Sequence, residues 1–485
     1  TEHRAPSTEH RAPSTEHRAP STEHRAPSTE HRAPTFGLSP EWLLADGVPF
    51  ADGLVMSHPE QVERLRRVCP AAVDAAVVAG DPTFDRMLAA RPYRSRFKRA
   101  LGVREGQRLV VLSSTWNPEG LFGSGDPDVL ASLLPRLAAE LPADDYRTAA
   151  VLHPNIWHGH GPGQVRAWLD RACRGGLTLV DPLHGWQQAI VAADAVIGDF
   201  GAVTYYAAAL GSPVLLTSDG AGRLDPEAPL AAFVGRAPRL SPHGSLRAQV
   251  DELVTGRGQA AGAAPFVSSV PGESAALLRR HFYGLMNLPE PAAPALLEPL
   301  PLPAHEPVRR TAPLRVRTRV RGAGVTVERS ASPAYGAPGD VHVAVHEDTL
   351  DPGDLEVADV IVREGQPDDP RLGGWERWSA EVLERFGQCA MAAFVAGLDV
   401  CLVRVRDAGL FELSAGADAD ADPAAYASAL YAWLAAGHRV PDGGVTLRAR
   451  AAGRVHPVVV RPLSGRPRNG AAGRPGTPGA ERLPG

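Results

Sequence analysis

Between Gln107 and Leu216 the chain alternates short apolar runs with longer amphipathic ones. "RLVVLSS", "RTAAVLH", "LTLV", "AVIGD" and "PVLL" have the near-continuous apolar character of strands buried on both faces. "PDVLASLLPRLAAEL", "GQVRAWLDRAC", "WQQAIVAA" and "AVTYYAAAL" carry the wider apolar stripe of helices. Parallel neighbours need a crossover between them, so strands separated by helices in this way predict an α/β domain whose parallel sheet is covered on both sides. Upstream, a strand over Gly53 to Ser57, a helix over Pro59 to Val68 and a strand over Ala75 to Ala79 read as the last βαβ turn of a sheet whose earlier strands are missing.

After Pro-rich "LPEPAAPALLEPLPLPAHEP", expected to be a semi-rigid linker, the pattern changes. Strands are predicted at "LRVRTRVRG", "GVTVERS", "VHVAVHE" and "ADVIVREG", then one long helix from about Trp375 to Val395. Strands "DVCLVRVRD" and "GLFELSAG", a helix "PAAYASALYAWLAAG", and strands "GVTLRAR" and "HPVVVRP" follow. Strands mixed with few helices predict a separate α+β domain. The expected division is 1–34, a repeat; 35–82, the end of a first domain; 83–287, the α/β domain; 288–313, the linker; 314–463, the α+β domain; and 464–485, a tail.

The first 34 residues are four copies of "TEHRAPS" and a fifth without its serine. A period of seven invites a coiled coil, but each unit holds a proline and no apolar pair at a and d. The repeat and the Gly/Pro-rich tail are expected to be disordered.

Composition changes this picture little. With 485 residues, 44% of them hydrophobic, the chain has material for several folded domains. A net charge of -5 gives no global field for nucleic acid, and the local cluster Arg91, Arg94, Arg96, Lys98 and Arg99 is expected to be a solvated helix face. Lys98 stands alone as lysine among 50 basic residues, a coding bias that reduces what arginine counts mean. Cys69, Cys173, Cys389 and Cys401 lie far apart, which suggests neither a zinc site nor a disulfide framework and makes a reduced cytoplasmic setting the default. No apolar run approaches the 18 or so residues of a membrane helix, and the repeat lacks the pattern of a signal peptide.

In a doubly wound sheet, ligands sit where strand ends meet helix N-termini, so the strand-to-helix junctions are the places to look. The first is "SSTWNPEGLFG", with hydroxyls on Ser113, Ser114 and Thr115 and glycines that permit close backbone approach; it suits a phosphate or sugar as well as an ordinary turn. The second is "HPNIWHGHG", in which His153 stands at the strand end while His158 and His160 read as loop surface. Histidine is the side chain best poised for proton transfer near neutral pH. No acidic partner or i, i+4 spacing supports a metal there. The third is "GDFGAVT": Asp199 ends a strand, and Gly201 opens a helix whose first free amides, near Ala202, Val203 and Thr204, can cradle a diphosphate. Asp199 as a plain helix cap is the alternative.

Taken in order, "GDPTFDRM", "SSTW", "HPN" and "ADAVIGDFGAVTYYAAALGSPVLL" resemble the carboxyl-terminal half of GT-B glycosyltransferase-like proteins, over roughly Thr35 to Arg239. Within them the chain looks most like the CDP-glycerol glycerophosphotransferases, polymerases of teichoic-acid type, in an actinobacterial form. The resemblance implies a Rossmann-like donor domain and transfer of a glycerol phosphate or related group from a nucleotide-activated donor, CDP-glycerol or similar, to a polymer or lipid-linked acceptor at the cell surface. It implies a cytoplasmic enzyme, peripheral at the inner face of the membrane, with no cofactor, metal or nucleic acid. Carried onto matching positions, His153 is catalytic, and Ser114, Thr115, Trp116, Pro154, Asp199, Gly201, Val203 and Thr204 hold the donor phosphates. Relatives carry hydroxyls in the third turn, as D-Y-S-S or D-H-G-S, where this chain has "DFGA", so phosphate contact is expected to rest on backbone amides and Thr204. Most of the acceptor-side domain is not in the sequence, which leaves either a fragment of a longer protein or a domain replaced by the repeat. Two other readings stay open: a nucleotide-sugar glycosyltransferase or 2-epimerase on the same scaffold, and a non-catalytic interaction protein.

Overall fold

The computed structural model describes residues 37–123, 129–218, 220, 222–256, 264–303, 308–331, 340–371, 373–416 and 420–463. The expectations for the repeat and the tail lie outside these residues. The early segment holds two parallel strands, β1 (Leu54–Met56) and β2 (Ala76–Val78), joined through helix α1 (Pro59–Val68). His58 caps α1, its Nδ1 accepting from Glu60 N–H at 3.0 Å, and Pro59 supplies the fixed φ of the first turn. A small core of its own, including Leu43, Met56, Leu65 and Ala72, holds this lobe.

Helices α2 (Pro82–Ala90) and α3 (Arg94–Ala100) lead into the main sheet. Its elements are β3 (Arg108–Ser114), α4 (Val129–Glu140), β4 (Tyr146–Leu152), α5 (Pro154–His160), α6 (Pro162–Arg174), β5 (Leu177–Leu179), α7 (Trp186–Ala192), β6 (Ala195–Gly198), α8 (Ala202–Ala209) and β7 (Val214–Leu216). All neighbours are parallel and the order is β5-β4-β3-β6-β7. Leu109 and Val111 face one core, Val110 and Leu112 the other, and all four are 0% exposed. That is why the strand reads as one apolar run rather than an alternation. Arg94 and Lys98 of the basic cluster are not free surface: both pair with Asp194, at 2.6 and 2.7 Å, and Asp194 also accepts from Leu109 N–H at the start of β3.

Helices α9 (Leu246–Thr255) and α10 (Ser274–Leu285) complete the cover, and α10 packs back on α2. The described part of the Pro-rich segment, 288–303, then lies against this domain. Leu300 is buried in the core, and Gln188 of α7 donates to Pro301 O at 3.0 Å.

The last third is a closed barrel. Strands β8 (Leu314–Arg321), β9 (Gly324–Ser330), β10 (Asp340–His346), β11 (Val360–Glu364), β12 (Met391–Val395), β13 (Val400–Val405), β14 (Gly409–Ala415), β15 (Val445–Ala451) and β16 (Arg454–Leu463) run in the order β8-β9-β15-β16-β14-β13-β12-β11-β10, and β10 pairs back with β8. Helix α11 (Gly374–Arg385) lies outside, its Trp375, Trp378 and Val382 against Phe394 and Leu402. Helix α12 (Pro423–Ala435) threads the interior, packing on strands all round the barrel. An enclosed helix has no solvent face, so its sequence must be apolar on every side and slim where the wall is close. Alanines 424, 425, 427, 429 and 432 meet both demands, with Tyr426, Leu430 and Trp433 filling the wider places.

The single long helix expected over Trp375 to Val395 is corrected here: it stops at Arg385, and Met391–Val395 is strand β12. Alanine-rich "CAMAAFV" continues a helical composition, but Met391 and Ala393 face the inner core while Ala392 and Phe394 face the outer one. Tertiary context overrides the propensity.

The barrel and the α/β domain meet along a polar seam. Arg329 is 2% exposed and bonds Asp144 at 2.6 and 3.0 Å and Asp422 at 2.6 Å. Ala143 N–H donates to Arg329 O at 2.7 Å.

Candidate functional site

Numbered along the chain, the main sheet has the strand order 3-2-1-4-5, the doubly wound, Rossmann-like arrangement. Its order reverses between β3 and β6, and in such sheets the ligand crevice belongs to the carboxyl ends of the strands on either side of the reversal. The first and third sequence junctions, Ser114 to Gly123 and Asp199 to Thr204, are those loops; the second, at His153, follows β4 beside them.

Asp199 is 0% exposed, and four donors of its own chain occupy its carboxylate. Oδ2 accepts from Thr115 N–H at 2.8 Å, Leu121 N–H at 2.9 Å and Ser114 Oγ–H at 3.3 Å; Oδ1 accepts from Gly201 N–H at 3.0 Å. Burial pushes its pKa up while these donors pull it down. Ser114 Oγ also accepts from Phe122 N–H at 2.9 Å. Ser114 and Asp199 therefore fold the two loops against each other rather than face solvent. Gly120 belongs to the same clasp, since a Cβ there would stand 2.9 Å from Asp199 Oδ2 and from Thr115 O.

This arrangement decides the cap question. Asp199 bonds the loop, and α8 follows its N-cap Gly201 with no side-chain cap at all. Its first amides are left to solvent or a ligand, with Ala202 exposed and Gly201 and Val203 half-buried at the opening. Thr204 is 1% exposed, and its Oγ1 has no hydrogen-bond partner. That hydroxyl lies against Gly198, where a Cβ would come within 2.3 Å of it, so the side chain is turned into the fold and away from the helix mouth. Phe200 is also core, 4% exposed, its ring beneath Gly220, where a Cβ would be 2.5 Å away. Of Phe200 and Ala202, the two apolar side chains of "DFGA", only Ala202 is exposed at the turn.

His153 is the N-cap of α5: its Nδ1 accepts from Asn155 N–H at 3.1 Å, and Pro154 opens the helix. The proton is thereby placed on Nε2. Partial burial lowers its pKa, so the free imidazole is neutral near pH 7. Trp116, 51% exposed, leans over it with ring centroids 6.4 Å apart. His158 and His160 are exposed as expected, but on helix α5 rather than in a loop. Among the described residues no group of three His, Cys, Asp or Glu side chains is placed to hold a metal ion.

Sequence reasoning passed over the latch at the rim. Arg223, beyond β7, pairs with Glu119, beyond β3, at 2.8 Å, bridging across the loop of β6 that lies between them. Nothing along the chain marks this pair, because 104 residues separate its members. In the early lobe "SHPE" repeats the His-Pro cap of "LHPN", and the His58 ring lies 5.4 Å from that of Phe266.

No family model and no curated protein matches this chain. Solved structures do. The wall teichoic acid polymerase TagF is 14% identical, with 49% of this chain and 57% of that one covered and a TM-score of 0.34. Anabaena Alr3699/HepE in complex with UDP-glucose is 15% identical, with 49% and 65% covered and a TM-score of 0.28. Methanocaldococcus jannaschii UDP-GlcNAc 2-epimerase, in complex with UDP-GlcNAc and UDP, is 14% identical, with 48% and 62% covered and a TM-score of 0.34. The chain spans less than two thirds of the length of each. A teichoic acid polymerase is what the sequence resembles, and a UDP-GlcNAc 2-epimerase is of the alternative class. At these TM-scores the likeness carries no weight beyond that, and the doubly wound fold rests on the strand order itself.

Proposed function

We propose that the crevice between β3 and β6 binds a nucleotide-activated donor and serves transfer of a glycerol phosphate, or a related group, from a CDP-linked donor to a polymer or glycolipid acceptor. The uncapped N-terminus of α8, opened by Gly201 and Ala202 at the reversal of strand order, supports this reading most directly. An acceptor hydroxyl attacks the donor's β-phosphorus and gives up its proton to water, a new P–O bond forms, the bond to the bridging oxygen breaks, and CMP leaves with that electron pair. The α8 amides face the charge that builds on the leaving phosphate, and His153 Nε2–H donates to an oxygen of the transferring group. Trp116 offers a face for the base or sugar. No helix among the described residues is long and apolar enough to cross a membrane.

Calorimetric titration with CDP-glycerol, CDP and UDP-glucose tests this. CDP-glycerol is expected to bind, and His153→Ala to slow transfer by about 10²- to 10³-fold. Tighter binding of UDP-glucose would move the protein to the nucleotide-sugar class, and no nucleotide binding at all would leave the non-catalytic reading.

A further inference from the structure

Strand β3 is seven residues long, so its two ends lie about 20 Å apart. The crevice is at its carboxyl end. At its amino end, the loop 101–107 meets the mouth of the barrel, and a second cavity of about 460 Å³ opens between the domains, a size at which small-molecule sites occur. Leu314, Val362 and Val395 give it an apolar wall.

Several charged groups around it are already engaged. Arg329 holds Asp144 and Asp422, Asp422 Oδ1 accepts from Ala424 N–H at 3.0 Å, and Asp420 accepts from Glu105 N–H at 2.6 Å. Others are not. Arg104 Nη1 is buried without a partner. His346 is 7% exposed; its Nδ1 accepts from Asp348 N–H at 3.1 Å, which puts the proton on Nε2, and Nε2 has no hydrogen-bond partner. The nearest carboxylate oxygen to it, on Glu364 at the half-exposed rim, is 3.7 Å away. Arg310, on the same lining, makes one long bond, to Ala143 O at 3.3 Å. Buried donors without acceptors are destabilising, and here two of them, with Arg310, line one chamber.

We propose that this chamber is a binding site for a small molecule carrying one oxyanion, a phosphate or a carboxylate, held by Arg104, Arg310 and the Nε2–H of His346. Guanidinium forks match the oxygens of such groups, and the neutral imidazole adds a directed donor. The ligand's body lies on Leu314 and Val362, and Glu364, 3.7 Å from His346 Nε2 at the rim, suits a ligand whose outer end is neutral or cationic. Nothing in this proposal depends on the donor reading of the crevice, which lies at the other end of β3.

The full chain, titrated calorimetrically with inorganic phosphate and separately with isobutyrate, each against chloride at constant ionic strength, tests the site. At least one probe is expected to bind equally with and without saturating CDP, and the stronger of the two tells phosphate from carboxylate chemistry. Arg104→Gln and His346→Gln are each expected to weaken binding at least tenfold, while Arg450→Gln on the outer face of the barrel leaves it unchanged. If Arg104→Gln does not fold, His346→Gln decides. The proposal is overturned if neither probe binds, if CDP abolishes binding, or if the folded variants bind as the parent does.

Discussion

Phe200 and Ala202 sit two positions apart in the same turn and have opposite situations. Phe200 packs under Gly220 in the main core, and Ala202 stands in the open at the first turn of α8. Restoring hydroxyls therefore separates stability from binding. Phe200→Ser is expected to cost about 3–5 kcal/mol, the range for emptying a buried aromatic site, and to leave CDP-glycerol affinity no better. Ala202→Ser is expected to keep the parent's stability and to bind the nucleotide at least as well. Urea denaturation and calorimetry on the two variants check this, and a stable Phe200→Ser protein would contradict the packing described. The sequence showed where the turn lies, because a strand ending in an acid and followed by glycine is local information. It did not show which way each side chain points. Asp199 looked like a ligand or a cap and proves to be the clasp between two loops, through partners 78 and 84 residues away.

At the scale of elements, periodicity was a good guide wherever one environment lasted the length of a segment. The β3 run and the α1 helix were plain for that reason, and α1 spans Pro59 to Val68 as expected. Around Cys389 to Val395 the rule failed, because a strand covered on the inside by α12 and on the outside by α11 needs small residues that also suit a helix. Likewise "PAAYASALYAWLA" was legible as a helix, but the chain has no local signal that a barrel surrounds it. The enclosure has a measurable consequence. Ala429 is 0% exposed, so Ala429→Leu is expected to destabilise the protein by about 1–3 kcal/mol through overpacking, whereas the same change on a solvated helix would be neutral or helpful. Chemical denaturation with tryptophan fluorescence would follow it, since Trp433 lies in the same core.

For the whole molecule, the seam at Arg329 couples two domains that the sequence presented as separate. Burial alone would raise the pKa of Asp422, but Arg329, Arg104 and Arg310 outweigh it and hold the carboxyl well below its ordinary value of 3.8. A carboxylate whose folded pKa is depressed contributes stability that is present above the unfolded value and is lost as pH falls beneath it. The parent is thus expected to keep this contribution from pH 7 down to about 4 and to lose it progressively in stronger acid. Asp422→Asn, which leaves Arg329 with one carboxylate, is expected to be destabilised by about 3–5 kcal/mol at pH 7 and to show a shallower acid step. Urea midpoints measured from pH 7 to 2 give both numbers; an acid profile unchanged by the substitution would remove Asp422 from the account.

The threaded helix also imposes an order on biosynthesis. Helix α12 precedes β15 and β16 in the chain, yet these two strands are the staves that close the barrel between β9 and β14. A ribosome that has released Ala435 but not yet Val445 to Leu463 has produced an oily rod in an open trough. Until the last staves arrive, the nascent protein must shelter that rod by some other means.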